Sequence, residues 1–592
     1  MLRGRVLKLA TAALLLAVAY GHGEEHGAEH GGMEMPEAPK LQPQDGDTPH
    51  SYWGLSEHVG LMYMHIALEV VAWFIVLPVG VMFSIARSRL ALVSQFTFLI
   101  VNAIALLVGV AYNHQTPELY ENNAHSKIGW TITWIASAWV FMALVQVYTG
   151  RSKAHSPEDH TTHPMTTANM ARYQRVHDSD LSQTSRWSND SGQGTERNSA
   201  SLYEHSRSPS VESEDQQQFA GPTRRYTHDE LDDTFDVEAE KRGFLRNNSV
   251  DRFLSRNIAR FAVGRPLQWM RFFYVVIERT IIVQGFVALM SGTVVYGGIG
   301  HGGAVFNVLA HYVKGGIFFG YGFLTLGRWM GAFADLGWAW NLKPTKEMVG
   351  RRRAGLPSAE FTESFVIFLY GCINVFMEHL AAWGDEWTAQ DLEHVSISVL
   401  FFGGGLLGMI IESRKMRDLL NASVLVTQGS ANEDDEKWQP PRQYGFSMNP
   451  MPAVIILLLG KMMSSHHQAS MLSTMIHTQW GTMFMGFALA RGLTYITLYI
   501  SPPTSFLPSR PPTEIVTSFC LVAGGITFMV SNKDTVAALE SYKLDAMFTF
   551  TVTMGLTALL LAWTTVLIGL KGWALHKESK SQFAKHDAGV LA

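Results

Sequence analysis

Eleven apolar runs, most of them long enough to cross a hydrocarbon layer, divide this 592-residue chain into membrane and water-facing parts. They centre on residues 58 to 83, 92 to 112, 127 to 148, 272 to 297, 304 to 326, 361 to 382, 394 to 412, 450 to 465, 470 to 499, 514 to 531 and 545 to 570. A segment surrounded by lipid must satisfy its own backbone polar groups, and a helix does so within one run. The fold class is therefore all-α, a polytopic membrane helix bundle of about 11 transmembrane helices. The run at 450 to 465 is the weakest, being short and containing Lys461.

Lys and Arg orient the runs. Arg328, Lys343, Lys346, Arg351, Arg352 and Arg353 follow the fifth run, Arg87 and Arg89 follow the first, and Lys571, Lys577, Lys580 and Lys585 follow the last. These sides are expected to be cytoplasmic, whereas Gly297 to Gly303 and Trp383 to Glu393 carry no Lys or Arg. An odd number of spans then places the N-terminus outside and the C-terminus inside.

The remaining segments give the domain order. Residues 1–19, with Arg3, Arg5 and Lys8 before an uncharged stretch ending Ala17-Val18-Ala19, read as a secretory signal peptide. Residues 20–50 form a non-cytoplasmic His/acidic linker with His22, His26 and His30 among Glu24, Glu25 and Glu29. Residues 51–150 make a three-helix membrane domain, 269–575 a second membrane domain of eight helices, and 576–592 a basic cytoplasmic tail. Between the two domains, 151–268 is rich in Ser, Arg, Glu and Gln without apolar periodicity, and reads as a disordered cytoplasmic insert. Segments such as Arg207-Ser208-Pro209 suit regulation by a kinase. Phe253, Ile258 and Phe261 interleaved with Arg252, Arg256 and Arg260 suit an amphipathic helix on the anionic leaflet. The sequons at Asn189, Asn247 and Asn421 fall on the cytoplasmic side and are predicted to stay unglycosylated, which a glycosidase mobility assay checks.

Chemistry is suggested by histidine. His58, His65, His114, His125, His301, His311, His379, His394, His466, His467 and His477 all fall in the non-cytoplasmic halves of the runs or in the loops beyond them. Imidazole is costly in hydrocarbon and binds haem iron, zinc and copper, so a one-sided array points to a site. His65, His311 and His477 lie deepest, about 10 Å inside their runs, while the others sit at the rim, where interfacial histidines are common. Glu69 shares a face with His65, and Lys314 one with His311. An interhelical Glu69–Lys314 ion pair is the purely structural reading. Glu363, Glu378, Glu412, Lys461, Arg491 and Asp545 fall mostly near run ends, where snorkelling makes charge inexpensive. The glycines Gly315, Gly316, Gly320 and Gly322, and Gly403, Gly404, Gly405 and Gly408, are expected to serve close helix packing. Only Cys372 and Cys520 are present, both within apolar runs, which excludes a disulfide framework and a thiolate cluster. There is no Ser-His-Asp arrangement or phosphate-binding glycine loop, and nothing supports nucleic-acid binding.

The segments His311-Tyr312-Val313-Lys314-Gly315-Gly316, Gly327-Arg328-Trp329-Met330-Gly331, Gly337-Trp338-Ala339-Trp340-Asn341, Ser464-Ser465-His466-His467-Gln468 and His477-Thr478-Gln479-Trp480-Gly481 resemble the C-terminal domain of the fungal YTP-like membrane proteins. That resemblance covers roughly residues 270 to 575. Leu77-Pro78-Val79-Gly80 and Asn123-Ala124-His125-Ser126-Lys127-Ile128-Gly129 are similar to the N-terminal domain that accompanies it. The same elements resemble ascorbate-dependent two-haem b-type cytochromes, and the resemblance implies His65 and His125 as axial ligands. The departure is that no histidine lies in the cytoplasmic halves, where a second haem needs its ligands.

Three functions follow as expectations. The first is electron transfer by haem b held by two of His65, His125, His311 and His477. The second is transport or sensing of zinc or copper through His65, Glu69, His311 and His477. The third is a structural or trafficking membrane protein with no cofactor. The chain is expected in the secretory pathway: the endoplasmic reticulum, vacuole or plasma membrane.

Overall fold

A computed structural model describes residues 51–153, 265–377, 386–428, 441–465 and 468–590. The signal sequence, the His22–His30 tract, nearly all of the 151–268 insert, and His379, His466 and His467 lie outside them.

Each of the eleven predicted runs is helical over its described residues, and the described residues contain no strand. In chain order the helices are α1 (Val59–Ile85), α2 (Ala91–Gln115), α3 (His125–Lys153), α4 (Arg265–Gly297), α5 (Ala304–Met330), the short basic α6 (Lys346–Ala354), α7 (Ala359–Met377) and α8 (Ala389–Glu412). They continue as α9 (Arg414–Gln428), α10 (Met451–Ser465), α11 (Met471–Ile500), α12 (Thr513–Val530), α13 (Lys533–Ser541) and α14 (Ala546–Val590). Eight of them, α1 to α4, α8, α11, α12 and α14, are long and apolar enough to cross a membrane. The expected count of eleven is not reached on that measure. Helix α5 carries polar residues along its length, α7 has 19 described residues, and α10 has 15. Helix α14 continues through the basic C-terminal stretch to Val590.

The bundle is inverted relative to a water-soluble one. Leu107, Trp134, Val283 and Leu489 are each more than 60% exposed on outward faces, while Asn102, Thr325, Arg328, Arg491 and Glu514 are buried. An apolar exterior of this extent is covered by lipid.

Helices α1 to α4 share one core, built on Trp73, Leu77, Phe98, Ile132, Trp139, Tyr274 and Ile281. Helix α4 thus packs with the N-terminal helices although the insert separates them in sequence. The second half is built around α12, which lies along α5 on one side and α11 on the other. Glycines permit the first contact: a Cβ on Gly315 would sit 2.6 Å from the Gly525 carbonyl oxygen, and one on Gly322 3.0 Å from that of Ser518. Gly405 and Gly408 similarly meet α7, whereas Gly320 and Gly403 face open space. Close packing therefore explains part of each glycine run.

Pro78 sets the shape of α1. Proline has no N–H, so the carbonyl four residues earlier, that of Phe74, loses its helical partner. The helix widens here to a π turn over Val71–Val76, with Leu77 N–H donating to Ala72 O. The freed Phe74 oxygen accepts the indole N–H of Trp563 on α14 at 3.0 Å. An unsatisfied carbonyl is costly in lipid, and this bond meets that cost. Trp563→Phe is expected to lower stability by about 1 kcal/mol, the scale of interhelical hydrogen bonds in membranes, read as a thermal unfolding shift in detergent.

Candidate functional site

The four candidate cofactor histidines share one chemical feature. His65 Nδ1 lies 2.9 Å from Ala105 O, His311 Nδ1 2.8 Å from Asn307 O, and His477 Nδ1 2.8 Å from Ser473 O. A carbonyl can only accept, so each Nδ1 carries the proton. His125 Nδ1 lies 2.9 Å from Ser291 Oγ, whose own proton is given to Ala288 O at 2.8 Å. His125 must therefore donate as well. With Nδ1 donating, Nε2 is the ring nitrogen that would carry the lone pair in a neutral imidazole.

The structure groups these residues in two pairs rather than one site. His65 on α1 and His125 on α3 lie within electrostatic reach of each other. Each imidazole rests on a glycine of an adjoining helix. A Cβ on Gly109 of α2 would come within 2.8 Å of His65 Cε1, and one on Gly292 of α4 within 3.0 Å of His125 Cε1. Both imidazoles thus pack Cε1 against a neighbouring helix where a glycine leaves space, and Nδ1 of His65 is also close to the Gly109 position, at 2.9 Å.

His311 on α5 and His477 on α11 form the second pair, with ring centroids 6.4 Å apart and planes at 88°. Their flanks hold aromatic rings: Phe528 is 5.6 Å from His311, Trp480 is 5.7 Å from His477, and Phe528 stacks on Trp480 at 4.3 Å. Aromatic rings thus pack directly against both imidazoles. Glu69 follows His65 by one turn and lies beside Trp73, whose indole N–H donates to Asn102. It is not brought together with His311 and His477, and among the described residues no three His, Cys, Asp or Glu side chains converge as metal ligands. At the rim, His301 stacks on Tyr120 at 4.0 Å.

At the opposite end of α5 and α11 lies a cluster that the sequence reading missed. Arg328 Nη2 meets Glu360 Oε1 at 2.7 Å and its Nη1 meets Glu363 Oε1 at 2.6 Å. Its Nε donates to Trp338 O at 2.7 Å, and its guanidinium lies 4.3 Å over the Trp340 ring. Arg491 faces Glu363 Oε2 at 3.4 Å and Glu514 Oε1 at 2.8 Å. Trp340 is held by the Gly337–Asn341 motif: Asn341 Nδ2 donates to Ala334, Leu342 and Phe506 carbonyls, tying this loop to the one between α11 and α12. Arg491 and Glu363 do not snorkel. Arg491 is fully buried, and nine residues, about 14 Å of helix, separate it from the end of α11.

An inverted core, outward apolar faces and interior charge define a polytopic helical membrane protein. Residues 284–572 match the family described as Protein YTP1-like, C-terminal, and residues 47–149 match a domain of unknown function, DUF2427. The chain belongs to the fungal YTP1-like membrane protein family. It is 30% identical over 537 residues to an uncharacterized membrane protein of Schizosaccharomyces pombe, C3B8.06, covering 89% of this chain and 98% of that one. It is 40% identical over 306 residues to an uncharacterized membrane protein of Saccharomyces cerevisiae, YCR061W, covering 50% and 47% of the two chains. Protein YTP1 of Saccharomyces cerevisiae is 25% identical over 178 residues, 30% of this chain and 31% of that protein. No solved structure matches.

Proposed function

We propose that this membrane protein transfers electrons through one b-type haem held between His65 and His125, on the side of the bilayer away from the cytoplasm. The observation that carries the reading is that both imidazoles, on different helices, have Nδ1 hydrogen-bonded and a glycine beside Cε1, so that Nε2 would carry the lone pair. The haem, when bound, supplies the one-electron chemistry, and the chain supplies its ligands and an apolar surround. The opposite end of α1 and α4 offers a hydrogen-bonded group of Ser84, Tyr274 and Glu278 instead of imidazoles, so the reading is of one haem and not a two-haem relay. The orientation rests on Lys and Arg placement, and the secretory destination on the N-terminal 19 residues.

The purified full-length protein is expected to show a Soret band that shifts on dithionite reduction. His65→Ala and His125→Ala should each abolish it, and His477→Ala should leave it in place. A haem-free preparation carrying stoichiometric zinc or copper would replace this reading with metal transport or sensing. A preparation with neither, and no phenotype on joint replacement of the histidines, would leave a structural role.

A further inference from the structure

We propose that α9 is a membrane-surface helix that binds anionic phospholipid, with its apolar side in the acyl boundary and its basic residues on the headgroup phosphates.

The depth of α9 follows from α8. Helix α8 is one of those long and apolar enough to cross a membrane, and Ile410 and Ile411 in its last turn still face outward. Ser413 is then extended, with φ −69° and ψ 117°, so α9 starts at Arg414 on a new axis rather than prolonging the span. A helix that begins this close to the end of a span lies at headgroup depth.

The two sides of α9 differ sharply. Met416, Leu419, Leu420 and Val424 recur at helical spacing on one side and are all exposed, Leu419 and Leu420 by 69% each. Arg414, Arg417, Asp418 and Asn421 recur at the same spacing on the other side, and Lys415 stands at the border. Among the described residues α9 packs mainly on the end of α8, which leaves the leucines facing outward. Their apolar surface continues that of Ile410 and Ile411, which lipid covers. An exposed apolar side bordered by cations, at headgroup depth, is the pattern of a helix lying in the interface.

Charge selects the kind of lipid. Ser358 Oγ donates to Glu412 at 2.8 Å, which brings the segment after α6 to the end of α8. Lys343, before α6, lies within electrostatic reach of Arg414. In α6 itself, Lys346, Arg351, Arg352 and Arg353 are exposed. Acids are fewer here, and Asp335 is taken by Arg353 at 3.1 Å. Arg417 lies 4.8 Å over the ring of Tyr444, an aromatic residue suited to the same depth. A basic surface at this level complements anionic headgroups. On the orientation inferred from Lys and Arg, the leaflet concerned is the cytoplasmic one.

This proposal concerns other helices than the haem reading, and the absorption spectrum that tests the one is silent on the other. Its test uses the full-length protein with Cys372→Ser and Cys520→Ser, carrying a nitrobenzoxadiazole label at Leu420→Cys, in nanodiscs of phosphatidylcholine with increasing phosphatidylserine. Phosphatidylserine is expected to shift the emission to the blue and to make a quencher on the lipid chains effective, and high salt should reverse both. A label at Asp418→Cys, on the polar side, should stay water-exposed throughout. Arg414→Gln or Lys415→Gln should each weaken the response to phosphatidylserine about fivefold, the equivalent of about 1 kcal/mol per basic residue. Both labels lie on exposed positions, so elution as a single folded species is expected for every variant. The proposal is overturned by a Leu420 label that stays water-exposed at every composition, or by a response unchanged in Arg414→Gln with Lys415→Gln. A label that is shielded from water yet beyond reach of the lipid-borne quencher also overturns it, and assigns the leucines to a protein contact.

Discussion

Arg328→Met is expected to destabilise the protein by about 3–5 kcal/mol, enough to remove most of the folded yield, because it strands buried Glu360 and removes the shorter of the two arginine contacts of Glu363. Glu360 and Glu363 both lose their bond to this guanidinium, and Trp338 O and the Trp340 ring lose theirs. Methionine replaces most of the volume, so the loss is electrostatic rather than a cavity. Thermal unfolding followed by size exclusion in detergent measures it. The double variant Arg328→Met with Glu360→Gln should recover part of the stability, since it removes the stranded charge. Absence of any recovery would mean that packing around the Gly337–Asn341 loop, not charge, is what Arg328 supports.

Gly322→Leu is the second large effect, at about 3 kcal/mol or more. Even a Cβ at this position would lie 2.9 Å from the backbone nitrogen of Val522, and backbone on both helices cannot yield as a flexible side chain can. Helices α5 and α12 would have to separate, withdrawing Ser518 Oγ–H from Gly322 O at 2.8 Å. Gly320→Ala, two residues away with open space around it, should be neutral or slightly stabilising, as alanine suits a helix better than glycine. The contrast between the two, read by the same unfolding assay, separates a packing glycine from a propensity effect. Equal destabilisation by both would sink the proposed seam.

The helices were legible because apolar run length is a local property: all eleven runs are helical to within a few residues, from Val59 to the start of α14. How far each crosses was less legible. In α5, Asn307, His311 and Lys314 lower the apolarity of a helix that is nonetheless 27 residues long and packed on α12. The histidine set was legible by residue and side but not by partnership. Sequence depth puts His65, His311 and His477 in one class, whereas tertiary packing pairs His65 with His125 and His311 with His477. The charge cluster was illegible for a related reason. Arg328 reads as a topology marker and Glu363 as an interfacial acid when each is viewed on its own helix. Their burial arises only when α5, α7, α11 and α12 meet.

The bond from Trp563 to the Phe74 carbonyl joins residues 489 positions apart, from the last long helix to the first. A chain emerging from the ribosome inserts α1 long before α14 exists, so the carbonyl freed by Pro78 waits unsatisfied through nearly the whole of synthesis. The N-terminal helices can be threaded early, but their first member is locked only when the final one arrives. A chain that ends before α14 therefore lacks the indole donor that this carbonyl of the first helix uses.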